Sequence, residues 1–303
     1  MKSIILTGAT GPVGVALIKE CIKNDIRIIA LIRHNSTKIK RIPKSDLVTI
    51  LECDNNTLKD FQPADYGVDF SPNVFFHLAW GHTDKQFGLN STEEQVKNIQ
   101  HALDAVHLAK RMGCQKFIGA GSQAEYGYAT GPQNGNTPVN PEIAYGVAKY
   151  AAGRLTKIEC EKLNLEYVWV RILSVFGFNN NDDTLIHNFI SNCKNNIPMA
   201  LGPCTHIWDY LYEDDVGRAL FAIGEKGLNG KVYCLGSGIG KPLKEYLEII
   251  KNIVNPTYTP QYEKIPYAEK SIKYLCADIS ELTNDTGWKP EISFEEGVKK
   301  ILI

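Results

Sequence analysis

Along the first 175 residues, short uninterrupted apolar runs alternate with longer stretches in which apolar positions recur every three or four residues. Ile4–Leu6, Ile28–Ile32, Val48–Leu51, Val74–Leu78, Phe117–Ile118 and Tyr167–Val170 read as strands buried on both faces. Between them, Val13–Lys23, Glu93–Met112 and Ala144–Leu163 carry the helical period. Such alternation predicts an α/β fold, a doubly wound parallel sheet covered on both faces. The polar run 179–183 breaks the pattern. Beyond it, Leu185–Cys193, Asp214–Ile223 and Leu243–Val254 read as helices, and the Pro-bearing segments 255–260 and 264–267 as surface loops. Val232–Leu235 reads as a strand able to return to the main sheet. The expected division is a main lobe over residues 1–175 and a smaller α/β lobe over most of 176–303.

Composition narrows the partners. Lys and Arg number 33 against 34 Asp and Glu, so a net charge of -1 supplies no electrostatic footprint for nucleic acid or an anionic membrane. The eight cysteines form no CxxC pair and the seven histidines no HExxH or HxH, which leaves a metal site without support. Scattered thiols fit a reducing compartment. Met1-Lys2-Ser3 leads straight into Ile4-Ile5-Leu6 and then Gly8, too short an apolar run for a signal peptide, and no later run approaches a membrane span. The expectation is a soluble, cytoplasmic protein.

Thr7-Gly8-Ala9-Thr10-Gly11-Pro12-Val13-Gly14 follows the first strand and opens the first helix. Its Gly-x-x-Gly-x-x-Gly spacing is one residue longer than the usual dinucleotide fingerprint. The physics is the same: glycines permit a tight turn and close backbone approach, and a helix N-terminus offers free N–H groups to a diphosphate. About twenty residues further on, where a carboxylate would accept from the ribose 2′-hydroxyl, stand Ile32, Arg33 and His34. Arg33 can pair instead with a 2′-phosphate, which favours NADP(H) over NAD(H); otherwise it is a solvated strand-end arginine.

Tyr145 and Lys149 lie four residues apart and share a helix face. A nearby cation favours the phenolate and lowers a tyrosine pKa, preparing Tyr145 to exchange a proton with a substrate hydroxyl or carbonyl. Small neighbours (Gly146, Ala148, Ala151, Ala152) permit close approach. Upstream, Ser122 follows a predicted strand, at the end where ligands bind in open α/β sheets. It can donate to the same substrate oxygen, or it can satisfy the backbone of its own turn.

At these residues the chain resembles the extended short-chain dehydrogenase/reductases, in their nucleotide-sugar epimerase, dehydratase and reductase branch. The resemblance covers nearly the whole chain: Thr7–Gly14, His77-Leu78-Ala79, Asn98, Ser122–Gly127, Tyr145 with Lys149, Arg171–Gly177, Trp208–Val216, Asp278-Ile279-Ser280 and Gly287–Pro290. It implies a Rossmann lobe binding NAD(P), a C-terminal lobe binding a nucleoside-diphosphate sugar, and a homodimer formed by helices near Gln95–Met112 and Tyr145–Leu163. By position, Tyr145 would be the acid/base and Lys149 would bind the nicotinamide ribose, with Ser122 beside the reacting oxygen. Asp54 would contact adenine. Leu78, Ala79 and Trp80 would lie along the cofactor, with Trp80 and His82 facing substrate. Gln123, Ser174, Asn188 and Trp208 complete the expected substrate contacts.

The departures from that pattern matter. Where 4,6-dehydratases of the branch carry Asp-Glu, this chain has Gln123-Ala124, and Glu125 is one step out of register; dehydration lacks its acid. Trp208 stands where many members have a diphosphate-gripping arginine, and Ser174 replaces the asparagine of an Arg-x-x-Asn motif. Other donors must then serve the diphosphate, and Lys241, Lys270, Lys273 and His206 are available. The expected activity is reduction of a nucleoside-diphosphate 4-keto-6-deoxy sugar, and the resemblance around Trp208–Tyr212 suggests a CDP linkage. The alternative is a nucleotide-sugar 4-epimerase that retains NAD. A dinucleotide sensor without catalysis, or a reductase of a small carbonyl compound, fits fewer of these residues.

Overall fold

The computed structural model describes residues 1–62, 67–83, 88–179, 184–267 and 271–303. Seven parallel strands form the central sheet in the order β10-β6-β5-β4-β1-β2-β3. They are β1 (Ser3–Thr7), β2 (Arg27–Ile32), β3 (Val48–Glu52), β4 (Val74–His77), β5 (Lys116–Ser122), β6 (Glu166–Ile172) and β10 (Val232–Leu235). Strand order reverses at β1, which pairs with β2 on one side (Ile4 opposite Ile28) and β4 on the other (Ile4 opposite Val74). A crevice opens at such a switch point, outside the carboxyl ends of the strands.

The period-2 geometry of each strand divides its residues between two cores. Ile4, Leu6, Ile28, Ala30 and Phe76 face helices α1 (Pro12–Lys23) and α5 (Glu213–Lys226). Ile5, Ile29, Leu31, Phe75 and Phe117 face α2 (Thr92–Arg111) and α3 (Ala144–Lys162). A third core lies away from the sheet, where Phe176, Phe189, Tyr212, Leu247, Ile250 and Val298 join α4 (Leu185–Asn195), α6 (Leu243–Val254) and α8 (Phe294–Ile301). Two small sheets border it: β7 (Ser174–Phe176) pairs in parallel with β9 (Tyr210–Tyr212), and β8 (Ile207–Trp208) pairs antiparallel with β11 (Lys241–Pro242). Among the described residues no helix is long and apolar enough to cross a membrane.

The doubly wound parallel sheet is the architecture that the hydrophobic pattern predicts, and Val232–Leu235 does return to it beside β6. Two features depart from the pattern. β5 runs through Gly119–Ser122, well past its apolar start, because small residues there admit the Trp169 indole; a Cβ on Gly121 would lie 2.3 Å from Trp169 Nε1. Two short helices lie outside the predicted elements: α7 (Ser280–Thr286) has too few turns to display a period, whereas α8 opens on a Ser293–Glu296 capping box and sets Phe294, Val298 and Ile301 on one face against the third core.

Candidate active site

The glycine loop crosses the switch point. Gly8 adopts φ +74°, and a Cβ there would lie 2.7 Å from Ala79 N, so the loop rests directly on the end of β4. A Cβ on Gly14 would meet Gly8 O at 2.3 Å, which fixes how tightly α1 closes on the turn. Gly11 N donates to Gly8 O at 3.1 Å, Gly11 caps α1 through its backbone, and Pro12 takes the first position. The first-turn N–H groups lack helical acceptors by geometry. The start of that turn, at Gly11 and Pro12, lines a cavity of about 330 Å³.

Of the expected cofactor contacts, Gly8, Thr10, Gly11, Pro12, Arg33, Leu78, Ala79 and Trp80 line that cavity, and so does His82, expected to face substrate. Val13 and Gly14 stand outside its lining, in the first turn of α1. Asp54 also lies outside it: its carboxylate accepts from His34 N at 3.1 Å and pins the ends of β2 and β3 together. Lys38, Arg41 and Asn55 join the lining unanticipated, and Arg33, Lys38 and Arg41 place three cations at that end, with no carboxylate among the described lining residues. The recurrence of basic residues through the loop after β2 was the available signal. A cradle that any side chain would fill, a helix N-terminus and a cationic end together fit a dinucleotide diphosphate and adenosine.

Tyr145, Lys149, Ser122 and Trp80 converge beyond the loop. Lys149 is buried; its ammonium donates to Ala120 O at 2.6 Å and sits 3.7 Å over the Trp80 ring, 5.9 Å from the Tyr145 ring. Trp80 meets Tyr145 edge-on at 6.2 Å. Burial pulls the Lys149 pKa down to about 7, against the opposing charge of Glu125. The direction expected for Tyr145 is reversed: burial raises its pKa, the hydrogen bond with Ser122 works against that, and the Glu125 charge adds to the rise. The ammonium that was to lower it is itself desolvated. Ser122 hydrogen-bonds with Tyr145, and its Oγ accepts from Ala124 N at 3.2 Å, so it satisfies the backbone of its own turn.

His77 lies beneath this group, 3.0 Å from Thr7 Oγ1, and burial followed by the Lys149 charge holds its pKa at about 3. Its ring is neutral at ordinary pH. From α2, Gln95 accepts from Trp80 Nε1 at 2.8 Å and donates to His82 O and Gly88 O, while Asn98 brackets Gly81 N and O at 2.9 and 3.0 Å. Gln95 is a positioning residue that no motif announced. His82, at φ +54°, is exposed and pairs with Glu94 at 3.0 Å.

The remaining predicted contacts are more dispersed. Trp208 is half-buried and donates to Ser174 Oγ at 2.8 Å. Gln123 follows Ser122, with its Oε1 buried and without a hydrogen-bond partner among the described residues. Asn188 is exposed on α4, Lys273 is exposed, and Lys241 is half-buried in β11. His206 stacks on Tyr267 at 3.7 Å. Lys270 lies outside the described residues. Among the described residues no three His, Cys, Asp or Glu side chains gather as a metal site.

Known proteins resemble the chain over nearly its whole length. CDP-abequose synthase of Salmonella muenchen is 28% identical over 99% of this chain and 97% of its own. The dTDP-4-dehydro-6-deoxyglucose reductase of Escherichia coli is 22% identical over 99% of this chain and 96% of its own. Among solved structures, UDP-glucose 4-epimerase of Thermotoga maritima with UDP-glucose superposes with a TM-score of 0.84 at 22% identity, covering 99% of this chain and 97% of that one, a likeness of fold. The model of the NAD-dependent epimerase/dehydratase family matches residues 4–236, and the chain belongs to that family of extended short-chain dehydrogenase/reductases.

Proposed function

We propose that the protein reduces the 4-keto group of a nucleoside-diphosphate 4-keto-6-deoxy sugar with NADPH. The observation that carries this reading is Tyr145 held against Ser122 and Lys149 beyond a glycine cradle whose adenosine end is cationic. Arg33, Lys38 and Arg41 suit a 2′-phosphate, and among the described lining residues no carboxylate stands ready to accept from the 2′-hydroxyl of NAD. Bound reduced nicotinamide supplies a hydride to a carbonyl carbon. Tyr145 then gives its proton to the carbonyl oxygen, a task for a neutral phenol, and its raised pKa keeps it neutral. Ser122 donates to the same oxygen, and Lys149 orients the nicotinamide ribose. Gln95 and Asn98 hold the Trp80–His82 segment over the site.

The names of the Salmonella and Escherichia coli relatives support a 4-keto-6-deoxy sugar as substrate. The family's NAD dependence and the Thermotoga epimerase favour a second reading, 4-epimerisation with NAD retained. The same three residues serve it, with Tyr145 working as phenolate for the first half of the cycle. A homodimer fits the apolar side chains that α2 and α3 leave exposed: Val96, Val147, Leu155 and Ile158.

The deciding experiment mixes purified protein with NADPH and a panel of nucleotide-linked 4-keto-6-deoxy sugars. Stoichiometric loss of reduced-nicotinamide absorbance with one sugar supports the reductase and identifies its nucleotide. A new sugar isomer without that loss moves the assignment to the epimerase.

A further inference from the structure

Glu125 is fully buried, and the proposed reaction makes no use of it as an acid. Its carboxylate accepts three hydrogen bonds: Oε1 from Ser122 N at 2.9 Å and Trp169 Nε1 at 3.0 Å, and Oε2 from Arg171 Nε at 2.8 Å. Arg171 is buried as well, with its guanidinium 4.7 Å over the Tyr126 ring. The small residues of β5 make room for this network; a Cβ on Gly121 would fall 2.5 Å from Glu125 Oε1. As a source of stability a buried ion pair is poor, because two apolar side chains of equal volume serve as well or better. Its location is more informative. The pair lies one turn from Ser122, and the charge of Glu125 acts on both Tyr145 and Lys149.

We propose that Glu125 is a positioning residue of the reaction centre: clamped by Arg171 and Trp169, it holds the Ser122 backbone in register with Tyr145 and faces Lys149 as its counter-charge. This rests on the assignment of Tyr145, Lys149 and Ser122 as the reacting set. With its N–H held by Glu125 and its Oγ accepting from Ala124 N, Ser122 can direct its hydroxyl to Tyr145 without reorganising. Lys149 Nζ and Glu125 Oε1 both bind the end of β5, at Ala120 O and Ser122 N. The titratable groups whose charge reaches Lys149 are Tyr145 on its own helix, His77 from β4 and Glu125 from the turn after β5, with Arg171 of β6 behind Glu125. His77 stays neutral, so Glu125 is the opposing charge within this group.

The test reads Lys149 directly. Protein labelled at the lysine ε-carbon is titrated by NMR, the Lys149 resonance being assigned by its loss in Lys149→Met. Glu125→Gln keeps the shape and one acceptor oxygen but removes the charge. Glu125→Gln/Arg171→Met removes both charges and guards against a single variant that fails to fold. In Glu125→Gln the Lys149 midpoint should fall by about one pH unit; the double variant should move the same way, because Glu125 rather than Arg171 acts on Lys149. In turnover, kcat should fall about ten-fold with NADPH affinity retained, and the alkaline limb should move to lower pH with the midpoint. An unmoved midpoint in both variants overturns the proposal, whether or not any sugar is turned over. A moved midpoint in a protein inert toward every 4-keto sugar supports it and counts against the reductase assignment instead.

Discussion

Trp208 donates its indole N–H to Ser174 Oγ at 2.8 Å, joining β8 to β7. These are the two positions where the family resemblance leads to the expectation of an arginine and an asparagine, so the two departures make one contact. Ser174→Ala and Trp208→Phe should each raise the KM for the nucleotide sugar about three- to ten-fold, the range of one hydrogen bond, with NADPH affinity unchanged. The double variant should be no worse than the poorer single one. Steady-state kinetics on the four proteins of this cycle check it, and simple additivity would mean that the residues act separately.

Tyr145→Phe keeps the ring that meets Trp80 and removes only the proton donor. Turnover should fall by about two to four orders of magnitude, and NADPH should bind within a few-fold of its normal affinity. Retained turnover would remove Tyr145 from its role.

Arg33→Ala deletes a cation from the adenosine end of the cavity. If a 2′-phosphate sits there, NADPH affinity should drop about ten- to a hundred-fold while NADH affinity hardly changes. Nicotinamide fluorescence titrations with both cofactors measure the difference. Equal weakening would sink the assignment.

Lys149 carries a stability cost that follows from its burial. Its folded pKa of about 7 lies below the unfolded 10.5, so between those values the unfolded chain binds the extra proton. Stability therefore rises with pH across that window, and the full penalty applies below it. Lys149→Met should raise the Tm of the cofactor-free protein at pH near 7, and this advantage should shrink by about 3 kcal/mol at most on going to about pH 9.5. Thermal unfolding of both proteins at the two pH values tests the sign. An advantage that grew with pH would contradict it.

The parts of the fold that declare themselves in the sequence are those governed by a local period. Strands such as Ile28–Ile32 are buried on both faces, and a run of consecutive apolar residues is the direct consequence. The second half of β5 is silent for the opposite reason: Gly119, Ala120 and Gly121 are small because Trp169, on the neighbouring strand, needs their space.

The site divides along the same line. The glycine loop and the Tyr145–Lys149 pair are short-range patterns and could be found by spacing alone. Lys38 and Arg41 reach the cavity because the loop after β2 turns back on it, a placement that local spacing does not encode. Glu125 and Arg171 are 46 residues apart and meet through the register of β5 against β6. The Tyr145 pKa ran opposite to expectation because four-residue spacing sets neighbours but not their hydration.

The core shared by α1 and α5 contains Leu6 of β1 and Leu17 of α1, from the start of the chain, together with Val216, Leu220, Leu235 and Trp288. A growing polypeptide exposes the α1 side of its sheet until those late residues have been synthesised. A fragment ending near residue 175 would hold the glycine loop, Ser122, Tyr145 and Lys149 and still lack one wall of its core. Such a fragment should aggregate rather than bind dinucleotide, and a nascent chain stalled there should be a chaperone client.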